Sequence, residues 1–232
     1  MRILALDTSG LVVSAAVVED GGLIAETFLH YKKTHSQTLL PLIADMLGRI
    51  EMDVSDMDLL AQAVGPGSFT GLRIGVCTVK GLAMPGNIPV APVPTLDALA
   101  YTCALYEGIV CPIMDARRDQ VYTALYRTGG GDIREKLSED AALPVTDLCD
   151  RLKEYGKPVL FTGDGVDVYM DAIREMMRDR AVFAPPALRL QRASSTACLG
   201  AKLAAEGRLI SHKDLAPHYI RKSQAEQRYG RG

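Results

Sequence analysis

The sequence lacks the features of a membrane protein or a secreted protein. It contains no apolar run near the ~18 residues that a membrane-spanning helix needs. Its first residues, MRILALDTSG, predict a strand and not the charged and apolar regions of a signal peptide. Its five cysteines are widely spaced, odd in number and without a CxxC pair, which argues against disulfides and structural zinc. We therefore expect a cytoplasmic protein that does not bind membranes.

A large excess of charge of one sign is also lacking. The chain has 26 Lys and Arg against 28 Asp and Glu, a formal net charge of −2. Proteins that bind phosphate backbones usually present a basic face, so we expect any contact with RNA to be indirect. By contrast, 48% of the 232 residues are hydrophobic, which is enough for one large domain or two small ones that share an interface.

Residues that could carry hydrolysis are lacking as well. The four histidines form no HxxxH or HExxH pair, so no helical zinc site is predicted. Ser68 follows a glycine, but the GxSxG pattern of a nucleophile elbow is not formed. We therefore expect no catalytic residue and no metal ligand, and we interpret His35 as a hydrogen-bonding group near the start of a helix.

The sequence does contain two α/β halves with the same layout, βββαβαβα. In the first half, the periodicity of apolar residues predicts strands at 2–7, 12–19, 23–29, 59–64 and 88–92, and helices at 36–50, 68–83 and 95–106. In the second half, it predicts strands at 109–115, 120–126, 133–137 and 158–162, and helices at 145–155, 166–178 and 195–206.

Matching landmarks recur in the same order in both halves. Asp7 and Asp115 each end a first strand, and a later strand is followed by GPG at 65–67 and by GDG at 163–165. This internal repeat predicts an α/β, duplicated actin-like fold (ASKHA, RNase H-like), with two lobes of mixed sheets flanked by helices and a cleft between them. The expected divisions are an N-terminal lobe at 1–108, a smaller C-terminal lobe at 109–216 and a C-terminal tail at 217–232.

The ends of the two first strands face the predicted cleft, where a phosphate could bind. Asp7, Thr8 and Ser9, together with Asp115, form a possible vestigial phosphate site. Two arginines follow Asp115, however, where a phosphate-binding loop would have small residues. The favoured interpretation is that Asp7 and Asp115 cap turns at the strand ends. The alternative, an actin-like small-molecule kinase, remains open.

Two helices of the first half carry the strongest local pattern. GPGSFTGLRIG at 65–75 predicts a tight turn and a helix capped by Ser68 or Thr70, and it is not a P-loop. Interior helix glycines cost about 1 kcal/mol each relative to alanine, which suggests that another backbone comes close. The helix at 36–50 is apolar over a wide arc, so it either lies deep in the core or, as we favour, meets a partner. The predicted interface residues are Leu39, Leu42, Ile43, Met46, Ile50, Gly71, Leu72, Gly75, Val76, Thr78 and Val79.

The sequence resembles the TsaB (YeaZ) family over nearly its whole length. The matching segments are LALDTS at 4–9, GPGSFTGLRIG at 65–75, MDARRDQVY at 114–122 and PHYIR at 217–221. The resemblance implies a protein of the tRNA threonylcarbamoyladenosine (t6A) pathway, which modifies adenosine 37 of tRNAs that read ANN codons.

The resemblance also implies partners. Proteins of this family pair with a catalytic paralog, TsaD, through the first two helices of each chain, and they assemble with the ATPase TsaE. A homodimer through the same helices is expected when the partner is scarce. The position where TsaD holds a metal with two histidines corresponds here to residues 92–97, which include no suitable ligand. The resemblance thus implies a scaffold subunit without a cofactor of its own, ATP or ADP and metal belonging to its partners. A glycoprotease-like peptidase is the less favoured alternative.

Overall fold

The structure is a computed structural model that describes residues 1–31 and 34–221. The described residues form two mixed β-sheets, with two helices between them and further helices on their outer faces. Residues 222–232, most of the predicted tail, lie outside the described part of the chain. Residues 217–221 were also predicted to belong to the tail, but they contact both lobes.

The first half folds in the predicted order, βββαβαβα. Its elements are β1 (Arg2–Asp7), β2 (Val13–Glu19), β3 (Gly22–Leu29), α1 (His35–Arg49), β4 (Leu59–Gly65), α2 (Phe69–Ala83), β5 (Val90–Pro94) and α3 (Thr95–Thr102). The sheet order is β3-β2-β1-β4-β5. The first three strands are antiparallel, and β1, β4 and β5 run parallel, which brings the ends of β1 and β4 to one edge.

The second half repeats this order with extra strands. Its elements are β6 (Gly108–Asp115), β7 (Gln120–Thr123), β8 (Tyr126–Gly129), β9 (Asp132–Lys136), β10 (Ala141–Pro144), α4 (Val145–Lys153), β11 (Val159–Thr162), α5 (Gly165–Met177), β12 (Ala181–Phe183) and α6 (Ala193–Ala205). The strand predicted at 120–126 is two strands, because β7 and β8 pair with opposite ends of β6. The short strands β10 and β12 were not predicted.

The first sheet is apolar on both faces, with the two-residue period of a strand. Leu4 and Leu6 belong to the core cluster that includes α1 and α2, whereas Ile3 and Ala5 belong to the cluster that includes α6. Burial of each large aliphatic side chain contributes ~1.5–3 kcal/mol. Helices must therefore cover both faces of this sheet.

The helices between the sheets are exchanged between the two halves. Leu96 and Leu99 of α3, from the first half, pack in the cluster of the second sheet. Ala197 and Leu203 of α6, from the second half, pack in the cluster of the first sheet. The predicted lobe at 109–216 is corrected accordingly, since its last helix packs on the N-terminal sheet. The inner face of the first sheet is thus covered mainly by α6 from the second half. Helix α3 from the first half lies between the sheets, with Leu96 and Leu99 in the cluster of the second sheet and Ala98 in the cluster of the first.

Candidate functional site

The turns after β1 and β6 are built in the same way. The Asp7 carboxylate accepts hydrogen bonds from the Ser9 amide at 2.9 Å and the Ser9 hydroxyl at 2.6 Å. The Asp115 carboxylate accepts one from the Arg117 amide at 2.8 Å, again two residues ahead. Aspartates commonly close turns in this manner. The favoured interpretation of both aspartates as turn-capping residues is therefore confirmed.

Asp7 and Thr8 lie beneath the cleft and not on its surface. Both are fully buried, and the Thr8 hydroxyl donates to the carbonyl of Gly71 at 2.8 Å. Burial raises the pKa of Asp7 to about 6, which outweighs the lowering effect of the hydrogen bonds from Ser9. The second carboxylate oxygen of Asp7 has no hydrogen-bond partner. Of these two members of the possible phosphate site, Thr8 thus joins the turn after β1 to α2, and Asp7 closes that turn.

The cleft between the lobes is a cavity of about 540 Å³, lined by the turns after β1 and β6 and by the first residues of α2 and α5. Two carboxylates in this cavity, those of Asp115 and Asp164, are bound by neighbouring groups. Asp115 forms an ion pair with Arg117 at 3.2 Å and accepts a hydrogen bond from the Tyr169 hydroxyl at 3.1 Å. Asp164 accepts from the Asp115 amide, and burial raises the pKa of Asp164 to about 6. Among the described residues, no group of three His, Cys, Asp or Glu side chains could hold a metal ion.

The two arginines after Asp115 stand where the first half has small residues. Arg117 and Arg118 both have left-handed backbones, with φ of 64° and 57°. Such conformations are costly for residues other than glycine and persist only where the surroundings impose them. Both side chains line the cavity, as does Ser9 from the first half. The structure therefore brings Ser9 and Asp115 of the possible phosphate site to the same cleft, with arginines between the lobes.

Helix α2 begins with the predicted cap. The Ser68 hydroxyl accepts a hydrogen bond from the Gly71 amide at 3.2 Å, so Ser68 and not Thr70 is the capping residue. At the same end of the molecule, His35 at the start of α1 hydrogen-bonds to the Gly10 carbonyl at 3.0 Å, as expected for a structural histidine.

The glycines of α2 admit a close backbone, but it belongs to the same chain. A Cβ atom at Gly71 would overlap the carbonyl oxygen of Thr8, and one at Gly75 would overlap the Thr8 hydroxyl and the Gln62 amide. The prediction that a second backbone approaches α2 holds for the turn after β1. The assignment of Gly71 and Gly75 to a partner interface is corrected, because both glycines are buried within the subunit.

The apolar stripes of the two helices also face inward. Leu39, Ile43, Met46, Val76 and Val79 are at most 5% exposed and pack in the core on the first sheet. Leu72 is likewise buried, while Leu42, Ile50 and Thr78 are half-buried. The placement of the buried residues on a partner surface is corrected for the same reason: the sheet already covers them. Helical spacing identified a covered face correctly but could not tell which layer covers it.

The accessible surface of the helix pair is the opposite face, which the sequence reasoning missed. On α1 it includes Leu40, Ala44 and Gly48, spaced four residues apart, and on α2 it includes Cys77 and Gly81. Leu40 is 53% exposed, and a Cβ at Gly48 or Gly81 would meet no atom of residues 1–31 and 34–221 within 4 Å. The four-residue spacing from Leu40 was the signal available in the sequence. The two helices contact each other, and these exposed residues of the pair are together termed here the outer helix face.

Comparison with known proteins relates the chain to one tRNA modification pathway. Residues 21–229 match the family described as "TsaD: tRNA N6-adenosine threonylcarbamoyltransferase". The tRNA threonylcarbamoyladenosine biosynthesis protein TsaB of Bacillus subtilis is 34% identical and covers 99% of this chain and 98% of that protein. The protein of the same description from Escherichia coli is 31% identical, with 97% and 96% covered.

Solved structures agree with the predicted fold class, which is confirmed. A Pseudomonas aeruginosa protein described as similar to peptidase YeaZ is 28% identical, with a TM-score of 0.79 over 95% of this chain and 99% of that chain. The ethanolamine utilization protein EutJ of Carboxydothermus hydrogenoformans has a TM-score of 0.51 at 12% identity over 86% and 90%, a likeness of fold alone. Within the described residues, no helix is both long and apolar enough to cross a membrane.

Proposed function

The chain belongs to the TsaB family of tRNA threonylcarbamoyladenosine biosynthesis proteins, and we propose that it is a non-catalytic subunit that binds a TsaD-type catalytic paralog. The complex would install the threonylcarbamoyl group on N6 of adenosine 37 in tRNAs that read ANN codons. The chain would hold its partner in an active conformation, and its own contact with tRNA would be indirect.

The observation that carries this proposal is the outer helix face. A solvent-facing helix surface is normally polar, yet Leu40, Ala44, Gly48, Cys77 and Gly81 are exposed along one side of the helix pair. Glycine in a helix costs about 1 kcal/mol relative to alanine, and among the described residues no contact accounts for Gly48 or Gly81. Close approach of a second pair of helices would account for both, because small residues let helix backbones come near.

The cleft gives a second line of support for a non-catalytic role. Asp7 and Thr8 are buried, the Thr8 hydroxyl is bound to the Gly71 carbonyl of α2, and Asp115 is engaged by Arg117 and Tyr169. Asp7 and Thr8 would have to be exposed, and Asp115 released, before these groups could hold a nucleotide and its magnesium ion. The proposal therefore assigns no cofactor to this chain and leaves ATP or ADP and metal to the partner subunits.

The remaining parts of the proposal concern the assembly. The chain would help to recruit a TsaE-type ATPase once the TsaD-type protein is bound. The outer helix face would pair with a second copy of this chain when the partner is scarce. The assembly would act in the cytoplasm, where tRNA is modified.

The interface is tested by Leu40→Asp, which places a charge at the most exposed large apolar residue of the outer helix face. The matched control is Leu105→Asp, because Leu105 is 85% exposed and lies outside α1 and α2. We expect Leu40→Asp to weaken the affinity for a purified TsaD-type protein at least about tenfold, and Leu105→Asp to leave it unchanged. The measurement is isothermal titration calorimetry, with circular dichroism to verify that both variants fold.

Equal affinity of the two variants would refute the interface. The same two variants also test whether a homodimer forms through the outer helix face. Gel filtration of the chain alone should show a dimer that Leu40→Asp dissociates and Leu105→Asp preserves. A dimer that persists in Leu40→Asp would mean that the copies meet elsewhere.

A further inference from the structure

Residues Pro217–Arg221 cross from one lobe to the other at the mouth of the cleft. On the N-terminal side, the His218 amide donates to the Val64 carbonyl near the end of β4 at 2.7 Å. Gly65 makes room for this contact, since a Cβ there would overlap the His218 carbonyl oxygen. The segment is thus attached by its backbone to the first sheet.

A second attachment joins the segment to α2. The Tyr219 ring stacks on the Phe69 ring with centroids 4.5 Å apart and planes within 16°. The Arg73 side chain donates to the Tyr219 hydroxyl at 3.0 Å and lies 5.8 Å from the ring centre. Stacking together with a hydrogen bond fixes both the position and the rotation of the Tyr219 ring. These contacts hold the segment against the first turns of α2.

The other end of the segment is attached to the C-terminal lobe. Ile220 packs against the core cluster of the second sheet, which includes Tyr122. The Arg221 guanidinium donates to the Ala116 carbonyl at 3.0 Å and lines the cavity between the lobes. Four consecutive residues, 218–221, therefore contact β4, α2, the second-sheet cluster and the turn after β6.

We propose that Pro217–Arg221 is a strap that sets the separation of the two lobes at the mouth of the cleft. The helices α3 and α6 contact each other between the sheets, and neither contributes a residue to the lining of the cavity. These helices therefore do not hold the opening of the cleft, which is free to widen unless another segment spans it. The strap bridges the two lobes there through its backbone at His218 and its side chains at Tyr219, Ile220 and Arg221. Release of Tyr219 from α2 or of Arg221 from Ala116 lets the lobes move apart and enlarges the cavity.

The strap also couples α2 to the cleft structurally. Phe69 and Arg73, which hold Tyr219, lie on the helix whose outer face is the proposed partner surface. Docking of a partner there restricts these side chains and so changes the hold on the strap. This second consequence rests on the proposed function, whereas the strap itself does not.

The experiment measures the separation of the lobes in the full-length chain by double electron–electron resonance. One spin label is placed on Cys77, which is exposed on α2, and the other on Asp171→Cys, whose native side chain is fully exposed on α5. Cys198→Ser removes the half-buried thiol, and the remaining cysteines are buried. The strap variants are Tyr219→Ala and Arg221→Ala. The matched control is Tyr155→Ala, since Tyr155 is 39% exposed and Tyr219 is 38% exposed.

We expect one narrow distance distribution for the parent chain and for Tyr155→Ala, and a broader, longer distribution for both strap variants. Tyr219→Phe keeps the stack and loses the hydroxyl, so it should fall between them. If the strap variants give the same distribution of label distances as the parent chain, the proposal that the strap sets the separation of the lobes is refuted. Faster hydrogen exchange of residues 116–119 in the strap variants, read by mass spectrometry without labels, is the independent measurement, and unchanged exchange there also refutes it.

The coupling to the partner is tested with a TsaD-type protein added to a chain whose first label is moved off the outer helix face. In this chain Cys77→Ser removes the thiol, and the label is placed on Leu23→Cys, whose native side chain is 53% exposed on β3. A shifted distance on binding supports the coupling, and binding without a shift refutes the coupling while leaving the interface intact. Failure to bind at all would count against the proposed function and not against the strap.

Discussion

At the scale of single residues, the Asp7 carboxylate has an unusual environment. It is fully buried, one of its oxygens receives two hydrogen bonds from Ser9, and the other has none. Burial raises the pKa of Asp7 from 3.8 to about 6. Because of this higher pKa, the Asp7 carboxylate binds a proton more tightly in the folded chain than in the unfolded chain. The stability contributed by the protonated carboxyl is therefore complete below pH 3.8 and is lost as the pH rises through about 6.

Asp7→Asn should remove this dependence on pH, because asparagine keeps the oxygen that accepts from Ser9 and carries no charge. We expect the free energy of unfolding of the variant to gain ~3 kcal/mol relative to the parent chain between about pH 4 and about pH 7. Urea unfolding at a series of pH values measures the difference. Asp171→Asn, at a fully exposed side chain, is the control and should show no such gain. Parallel curves for Asp7→Asn and the parent chain would contradict the account.

At the scale of elements, the glycines of α1 and α2 divide into two kinds. Gly71 and Gly75 lie against the turn after β1, where a methyl group would overlap backbone and side-chain atoms. A methyl group at Gly48 or Gly81 would meet no atom within 4 Å in the part of the chain that the structure describes. The first kind is required by the fold of the isolated chain, and the second kind is not.

Alanine substitutions should therefore have opposite effects on stability. Gly71→Ala and Gly75→Ala should each lower the free energy of unfolding by ~1–3 kcal/mol, since the core around β1 must shift. Gly48→Ala and Gly81→Ala should raise it by up to ~1 kcal/mol, since alanine is the better helix former. Chemical denaturation of the four variants checks this. Destabilisation by Gly48→Ala or Gly81→Ala would show an internal role that the structure does not.

The elements also show what the sequence could predict. The strands β1 to β4 and the helices α1 and α2 were predicted within one or two residues, because strong periodicity and the Ser68 cap define them. The direction in which α1 and α2 face could not be predicted. Leu39 and Leu40 are neighbours in sequence, yet one is 1% exposed and the other 53%. Only the position of the sheet decides which of the two apolar arcs is covered.

At the scale of the whole molecule, the exchange of α3 and α6 governs how the chain holds together. The sequence predicted two lobes from the repeated aspartates Asp7 and Asp115, and the two sheets follow that division. It could not predict which sheet each final helix would cover, because both inner faces are equally apolar. The exchange means that neither sheet has a complete core made from its own half alone.

The exchange predicts that the two lobes unfold together. Loss of one sheet exposes an apolar face of the helix that covers it, and that helix also contacts the other layer. We expect a single urea transition, coincident by circular dichroism and by tyrosine fluorescence. Two separated transitions would mean that the lobes fold independently.

The central claim is that this chain works through the outer helix face and not through its cleft. The most direct test is the formation of threonylcarbamoyladenosine on tRNA in a reaction reconstituted from purified subunits, comparing Leu40→Asp with the cleft variants Asp115→Asn and Arg118→Ala. We predict that Leu40→Asp lowers the rate of product formation in proportion to the loss of partner binding. Both cleft variants should keep the parent rate. Loss of product in a cleft variant that still binds its partner, with Leu40→Asp active, would contradict it.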